Sequence, residues 1–140
     1  MNFTMSELIH SDTAVKYNIN NYPDLKSLDN MLLLIVECLQ PVRNLLKKPM
    51  IITSGYRCNL LNQKLNGAYN SQHCKGQAVD FIITGMSVSD IVSKIRHSNI
   101  EFDQLIEEYS KTSCWVHISY NKGKNRKDVL RYKNGIYTKI

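Results

Sequence analysis

The run Gln77-Ala78-Val79-Asp80-Phe81-Ile82-Ile83 constrains the fold more than any other stretch, because it sets a carboxylate in the middle of an otherwise apolar strand. Alternation puts Ala78, Asp80 and Ile82 on one face and Val79, Phe81 and Ile83 on the other. The second face demands a core. On the first, a charged Asp80 is costly unless something neutralises it, and a metal ion would. His73 lies seven residues before Asp80, with Gly76 between them. Glycine takes positive φ without steric cost, so Gly76 offers a turn that brings imidazole and carboxylate to one point. Both groups are good zinc ligands, at about 2.0–2.2 Å. The competing reading makes Asp80 a capping residue and leaves His73 in a loop.

A second strand with clean alternation is Cys114–Tyr120. It sends Trp115, His117 and Ser119 one way and Val116, Ile118 and Tyr120 the other. A histidine in mid-strand is either buried with a partner or a ligand. With His73 and Asp80 available, His117 is the expected third ligand. Three protein ligands and one open position for water describe a catalytic zinc site, whereas a structural site closes with four.

Ser-x-His-x-x-Gly-x-Ala-x-Asp, as it stands at 71–80, resembles the signature of the zinc D-Ala-D-Ala carboxypeptidases, with every fixed position filled. That group shares a superfamily with lysostaphin-type peptidases and the hedgehog signalling domain. Leu39–Arg43, then Ser54-Gly55-Tyr56-Arg57 upstream, are similar to the same family, and Phe102–Glu108 followed by Trp-x-His-x-Ser at 115–119 downstream resembles its second motif in the small phage- and prophage-type members. The resemblance runs from about Leu28 to Tyr120. It implies an α+β fold, a small, mostly antiparallel sheet with helices packed on one side. It also implies one zinc ion and cleavage of peptide bonds in the stem peptides or cross-links of bacterial peptidoglycan.

The resemblance further implies roles. Glu108 fills the glutamate of the Phe-Asp-Gln-Leu-Ile-x-Glu pattern and is expected as the general base. Glu107 is one pleat away and faces the opposite side, so both cannot serve from one regular strand. Arg57 is expected to orient the substrate or the reaction centre; its alternative is a structural ion pair. Ser71 and Trp115 are expected substrate contacts. The chain departs from many relatives by placing Cys114, not glutamate, three residues before His117, and by its eight residues between Glu108 and His117. A loop that displaced Glu108 would leave a zinc-binding module with weak or no activity.

The remainder of the chain frames this site. Residues 1–140 are expected to form a single zinc peptidase domain, with a polar N-terminal segment at 1–26 and a basic loop and C-terminal hairpin at 121–140. Ser6 or Ser11-Asp12 suits short helix starts. A long helix is expected from Ser27 or Asp29 to about Lys47, kinked at Pro41, with Leu28, Met31, Leu32, Ile35, Leu39, Val42 and Leu46 as its core stripe. Strands are expected at Pro49–Ser54 and Phe102–Glu108, short helices at Asn59–Leu65 and Val88–His97, and a hairpin about Asn134-Gly135. His10 and His97 are expected on the surface.

The net charge of +6 and pI of about 9.2 favour a polyanionic neighbour without choosing among wall, membrane surface and nucleic acid. Tyr120, Tyr132 and Tyr137 interleave with the basic loop as nucleic-acid modules do, and a non-catalytic zinc module holding wall polymer or nucleic acid is the alternative reading. No recognised nucleic-acid motif is present, and peptidoglycan is the expected partner of a monomer. The four cysteines make no CxxC pair, so free thiols made in a reducing cytoplasm are expected. Met1–Glu7 lacks a basic region followed by an apolar run, so no secretory leader is expected. No segment is long enough to span a bilayer. The protein is then expected to reach the wall after release, or as part of a phage particle.

Overall fold

Asp24 opens the longest helix. Its carboxylate accepts the Ser27 N–H at 2.7 Å and caps the helix Leu25–Leu34, earlier than the expected Ser27 or Asp29 start. The computed structural model describes residues 1–140. In chain order its helices are α1 (Met5–Ile9), α2 (Asp12–Lys16), α3 (Leu25–Leu34), α4 (Gln40–Leu46), α5 (Asn59–Lys64) and α6 (Val88–Arg96).

A π-helical turn, Ile35–Leu39, joins α3 to α4. Pro41 has no N–H to give to the ladder, and the chain absorbs the defect in the turn before it: the Gln40 N–H reaches five residues back to the Ile35 carbonyl. The disturbance therefore lies upstream of the proline, not at it. The buried stripe centres on Leu34 and Cys38, joined by Met31, Ile35, Leu39, Val42 and Leu46, while Leu32 turns outward and is 50 % exposed.

The strands are β1 (Ile51–Ser54), β2 (Ala78–Ile82), β3 (Gln104–Tyr109), β4 (Cys114–Ser119), β5 (Asp128–Lys133) and β6 (Ile136–Lys139), in one sheet of order β1-β2-β4-β3-β5-β6. Every neighbouring pair is antiparallel except β3–β5. The fold is α+β. Val79 and Phe81 of β2, Val116 and Ile118 of β4 and Leu105 of β3 join Leu34, Val42, Ile91 and Ile95 in one apolar cluster, so α3, α4 and α6 cover this face. Asp80, His117 and Glu108 belong to the other face.

The polar N-terminal segment is stapled to the loop that carries Arg57. Thr4 and Glu7 form a capping box for α1, in place of the expected Ser6 start, and Ser11 caps α2 as expected. Buried Asn21 donates from Nδ2 to the carbonyls of Ile9 and Tyr56 and accepts the Cys58 N–H at 2.7 Å. A Cβ on Gly55 would run into the Leu8 carbonyl, so only glycine lets α1 approach this closely. No helix is long and apolar enough to cross a membrane.

Candidate metal centre

Strand pairing places the site. Asp80 lies directly opposite His117 in the β2–β4 register, so the two side chains project from the same face. His73 arrives from a single 3₁₀ turn, Gln72–Lys75, whose first residue is preceded by Ser71; the Ser71 hydroxyl accepts the His73 N–H at 3.3 Å. Gly76 ends the turn with φ of 68°, and a Cβ there would collide with the Ser27 carbonyl. That glycine lets the chain reverse from His73 into β2 while packed against α3.

The three groups converge. Asp80 Oδ1 is 2.9 Å from His117 Nδ1 and 3.3 Å from His73 Nε2, and all three residues are buried. Three tetrahedral ligands at zinc distances stand roughly 3.3 Å apart, so these separations suit one ion. The three atoms lie within 4.8 Å of one another, as a shared metal requires. The tautomer of His73 fits as well. Its Nδ1 lies 2.8 Å from the Gly55 carbonyl, which can only accept, so Nδ1 carries the proton and the Nε2 lone pair faces Asp80 and His117. Two imidazole nitrogens and one carboxylate oxygen form a donor set that zinc accepts.

Electrostatics agree. Burial alone would raise the Asp80 carboxyl, but the pull of His73 and His117 outweighs it and holds the acid well below the usual carboxylate range. Burial pushes His73 down, only partly offset by Asp80. Burial also acts to lower His117, but its hydrogen bond to Asp80 and that carboxylate's charge win, and the ring is pushed up.

Arg57 closes the far side of Asp80. Its Nη2 donates to Asp80 Oδ2 at 3.3 Å, its Nε to Ser54 Oγ at 3.0 Å, and its backbone N–H to the His73 carbonyl at 3.2 Å. The ion pair left open by the sequence is present, and the side chain remains 15 % exposed toward the cleft.

The two glutamates of β3 separate by pleat. Glu108 pairs with Trp115 in the β3–β4 register and points to the site, with Oε1 3.8 Å from His117 Nδ1. Burial raises its carboxyl above the ordinary glutamate range, and the charge of Asp80 adds to the effect. Glu107 points to the core side, held by Arg131 Nε at 2.7 Å and the Tyr109 hydroxyl at 3.2 Å. The residues between β3 and β4 form a tight turn, with the Ser110 N–H on the Ser113 carbonyl at 2.8 Å, so they do not carry Glu108 away. Cys114 is exposed, opposite Tyr109.

The site opens into a cavity of about 560 Å³ whose lining includes Ser71, Gln72, Trp115, Tyr132 and Tyr137. The Trp115 indole N–H is buried beside Glu108, its cross-strand neighbour, and acts to lower that carboxyl, although no hydrogen bond of good geometry forms. Tyr132 and Tyr137 were legible only as aromatics in a basic region. Parallel pairing of β5 with β3 sets Tyr132 beside Glu108, and Tyr137 packs against Tyr132 at a tilt, with ring centroids 4.6 Å apart. The basic loop is partly neutralised: buried Asp103 accepts Arg126 Nε and Nη2, both at 2.8 Å, and Lys127 pairs with Glu101 at 2.7 Å.

His10 and His97 are exposed, and none of the four cysteines is in a disulfide. A search of curated proteins returns no match. Residues 1–119 match a family model described as Peptidase M15.

Proposed function

Because the chain belongs to the Peptidase M15 family of zinc metallopeptidases, we propose that it hydrolyses peptide bonds in the stem peptides or cross-links of bacterial peptidoglycan. The observation that carries this reading is the convergence of His73 Nε2, Asp80 Oδ1 and His117 Nδ1 beside Glu108, in a cavity of about 560 Å³. In this reading residues 1–140 act as one catalytic domain. It meets the wall after release from the cell that makes it, or as part of a phage particle.

His73, Asp80 and His117 would hold the ion. The chemistry that a bound zinc ion supplies is polarisation of the scissile carbonyl and a lower pKa for water, to about 7. Glu108 is the general base. Its Oε1 takes one proton from the attacking water as the C–O bond forms, and returns it to the leaving nitrogen as the C–N bond breaks. The raised carboxyl suits this exchange, because a more basic carboxylate accepts a proton more readily. Arg57 orients the reaction centre by bracing Asp80 through Oδ2. Trp115 lines the cleft beside Glu108 and offers its indole N–H, which makes no hydrogen bond of good geometry within the protein, to a substrate carbonyl. Ser71 shapes the turn that presents His73 and lines the cleft.

The test is release of new amino groups from purified peptidoglycan by the zinc-loaded protein, beside metal analysis. One zinc per chain together with amino-group release supports the reading. One zinc per chain with no release from any wall type would point to the non-catalytic module, holding wall polymer or nucleic acid through exposed Lys122 and Lys124.

A further inference from the structure

A second cavity adjoins the first. Its volume is about 640 Å³, and it runs from the metal centre toward the N-terminal segment, past Thr53 of the β1 edge to Thr13, Asp12 and Glu7. It shares Arg57, Leu65, Asp80 and Trp115 with the cavity that leads to Tyr132 and Tyr137. The ligand cluster therefore sits near the middle of one groove, not at its end. Each lobe alone falls in the range that holds a drug-sized ligand, about 300–1,000 Å³.

A peptidase that removes a terminal residue needs two things near the scissile bond: a blocked end, and an uncommitted cation for the free carboxylate. The groove has neither. Arg57 stands at the junction of the lobes, with its charge on Asp80 and its Nε on Ser54. Arg126, at the margin of the hairpin lobe, is spent in a bidentate pair with buried Asp103. In the N-terminal lobe His10 is bonded to Asp12 at 2.8 Å, and Glu7 and Asp12 would repel a carboxylate. Trp115 lines both lobes at the same junction, with its indole N–H beside Glu108 and within the groove.

The geometry points to an endopeptidase: the groove takes substrate on both sides of the scissile bond, with one arm of the peptide along Thr53 and Thr13 and the other along Gln72 and Tyr137. This rests on the zinc-peptidase reading above and adds to it the class of bond that is cut.

Two stem pentapeptides distinguish the outcomes, one with a free C-terminus and one carrying a C-terminal amide, each digested by the zinc-loaded protein and followed by mass spectrometry. An endopeptidase cleaves both at the same internal bond, at rates within roughly threefold, the scale of a solvent-exposed charge contact. Release of only the last residue from the free acid, with a drop of about 100-fold or more on the amide, as expected when a buried charge contact is lost, would overturn the inference and leave the peptidase reading intact. Cleavage of neither peptide, nor of intact wall, would overturn both. A second readout does not depend on turnover. Amide chemical shifts of the zinc-loaded Glu108→Gln variant, titrated with the amidated pentapeptide, should move at Thr13 and Thr53 as well as at Gln72 and Tyr137. Shifts confined to one lobe would contradict a through-going groove.

Discussion

Glu107 and Glu108 are neighbours in β3 and lie on opposite faces of the sheet. Glu107, on the helix-covered face, has a cation and a hydroxyl within hydrogen-bond distance, so its buried charge is matched within the protein. Glu108, on the open face, sits beside Asp80 with no lysine or arginine bonded to it, and its proton affinity rises. The same contrast separates Asp103 from Asp80. Asp103 is satisfied by a bidentate arginine and by Gln72, whereas Asp80 gathers two imidazoles and an arginine in an arrangement that leaves room for an ion. A buried charge matched by its own protein maintains the fold. A buried charge surrounded by lone pairs and other acids marks where chemistry is done.

The contrast breaks most visibly at the ligands. His73→Ala should lower amino-group release roughly 1,000-fold or more, because the carbonyl polarisation and water activation supplied by the ion are worth several kcal/mol. Metal analysis should show the loss of zinc in parallel; a variant that kept full activity without the metal would contradict the site. Next come the paired glutamates. Glu108→Gln should cost about 10²–10⁴ in kcat, the range of a lost general base, while zinc content and urea midpoint stay near wild type. Glu107→Gln should do the reverse. It keeps the activity but lowers the urea midpoint, since the buried side chain loses its charge-assisted bond to Arg131. Interchanged outcomes would mean that the faces have been assigned the wrong way round.

Asp103 sharpens the comparison through pH. The Arg126 hydrogen bonds hold its carboxyl below the usual range despite burial. The folded protein therefore keeps Asp103 ionised at a pH where the unfolded chain, near about 3.9, has begun to bind the proton. That contribution is fully present above the unfolded value and is lost as pH falls through the folded one. Arg126→Gln should destabilise by about 1–2 kcal/mol at pH 6, a figure reduced for the exposure of the guanidinium, and by clearly less at pH 2.5, measured by urea unfolding. An equal cost at both values would remove the ion pair as the cause. The smallest effect is expected at Trp115→Phe. It keeps the ring and removes the N–H, so KM should rise about 3–10-fold with kcat little changed, the scale of one neutral hydrogen bond.

Much of the convergence of His73, Asp80 and His117 was legible because its determinants are local. The spacing from His73 to Asp80 with Gly76 between them is a one-turn problem, and His117 announced itself by standing in the middle of an alternating strand. The separation of Glu107 from Glu108 follows from the pleat alone. What escaped the sequence depends on contacts between distant segments. Nothing near Tyr132 says that β5 will pair in parallel with β3 and bring it beside Glu108. Asn21, in a stretch that reads as polar linker, is buried because three backbone groups from two segments need it. Pro41 signalled a break in the long helix, but the place where the ladder gives way was set by the five-residue reach of Gln40 to Ile35. The second lobe of the groove is lined by residues of α1 and α2, and α1 is held against β1 by the close approach at Gly55 and the bonds of Asn21.

The central claim is that two imidazoles and one carboxylate from β2, β4 and the turn before β2 share one ion. Anomalous diffraction from zinc-loaded crystals, collected on both sides of the zinc absorption edge, tests it directly. One peak is expected at about 2.0–2.2 Å from His73 Nε2, Asp80 Oδ1 and His117 Nδ1. A peak elsewhere, or zinc bound without one of these three atoms, would contradict the account.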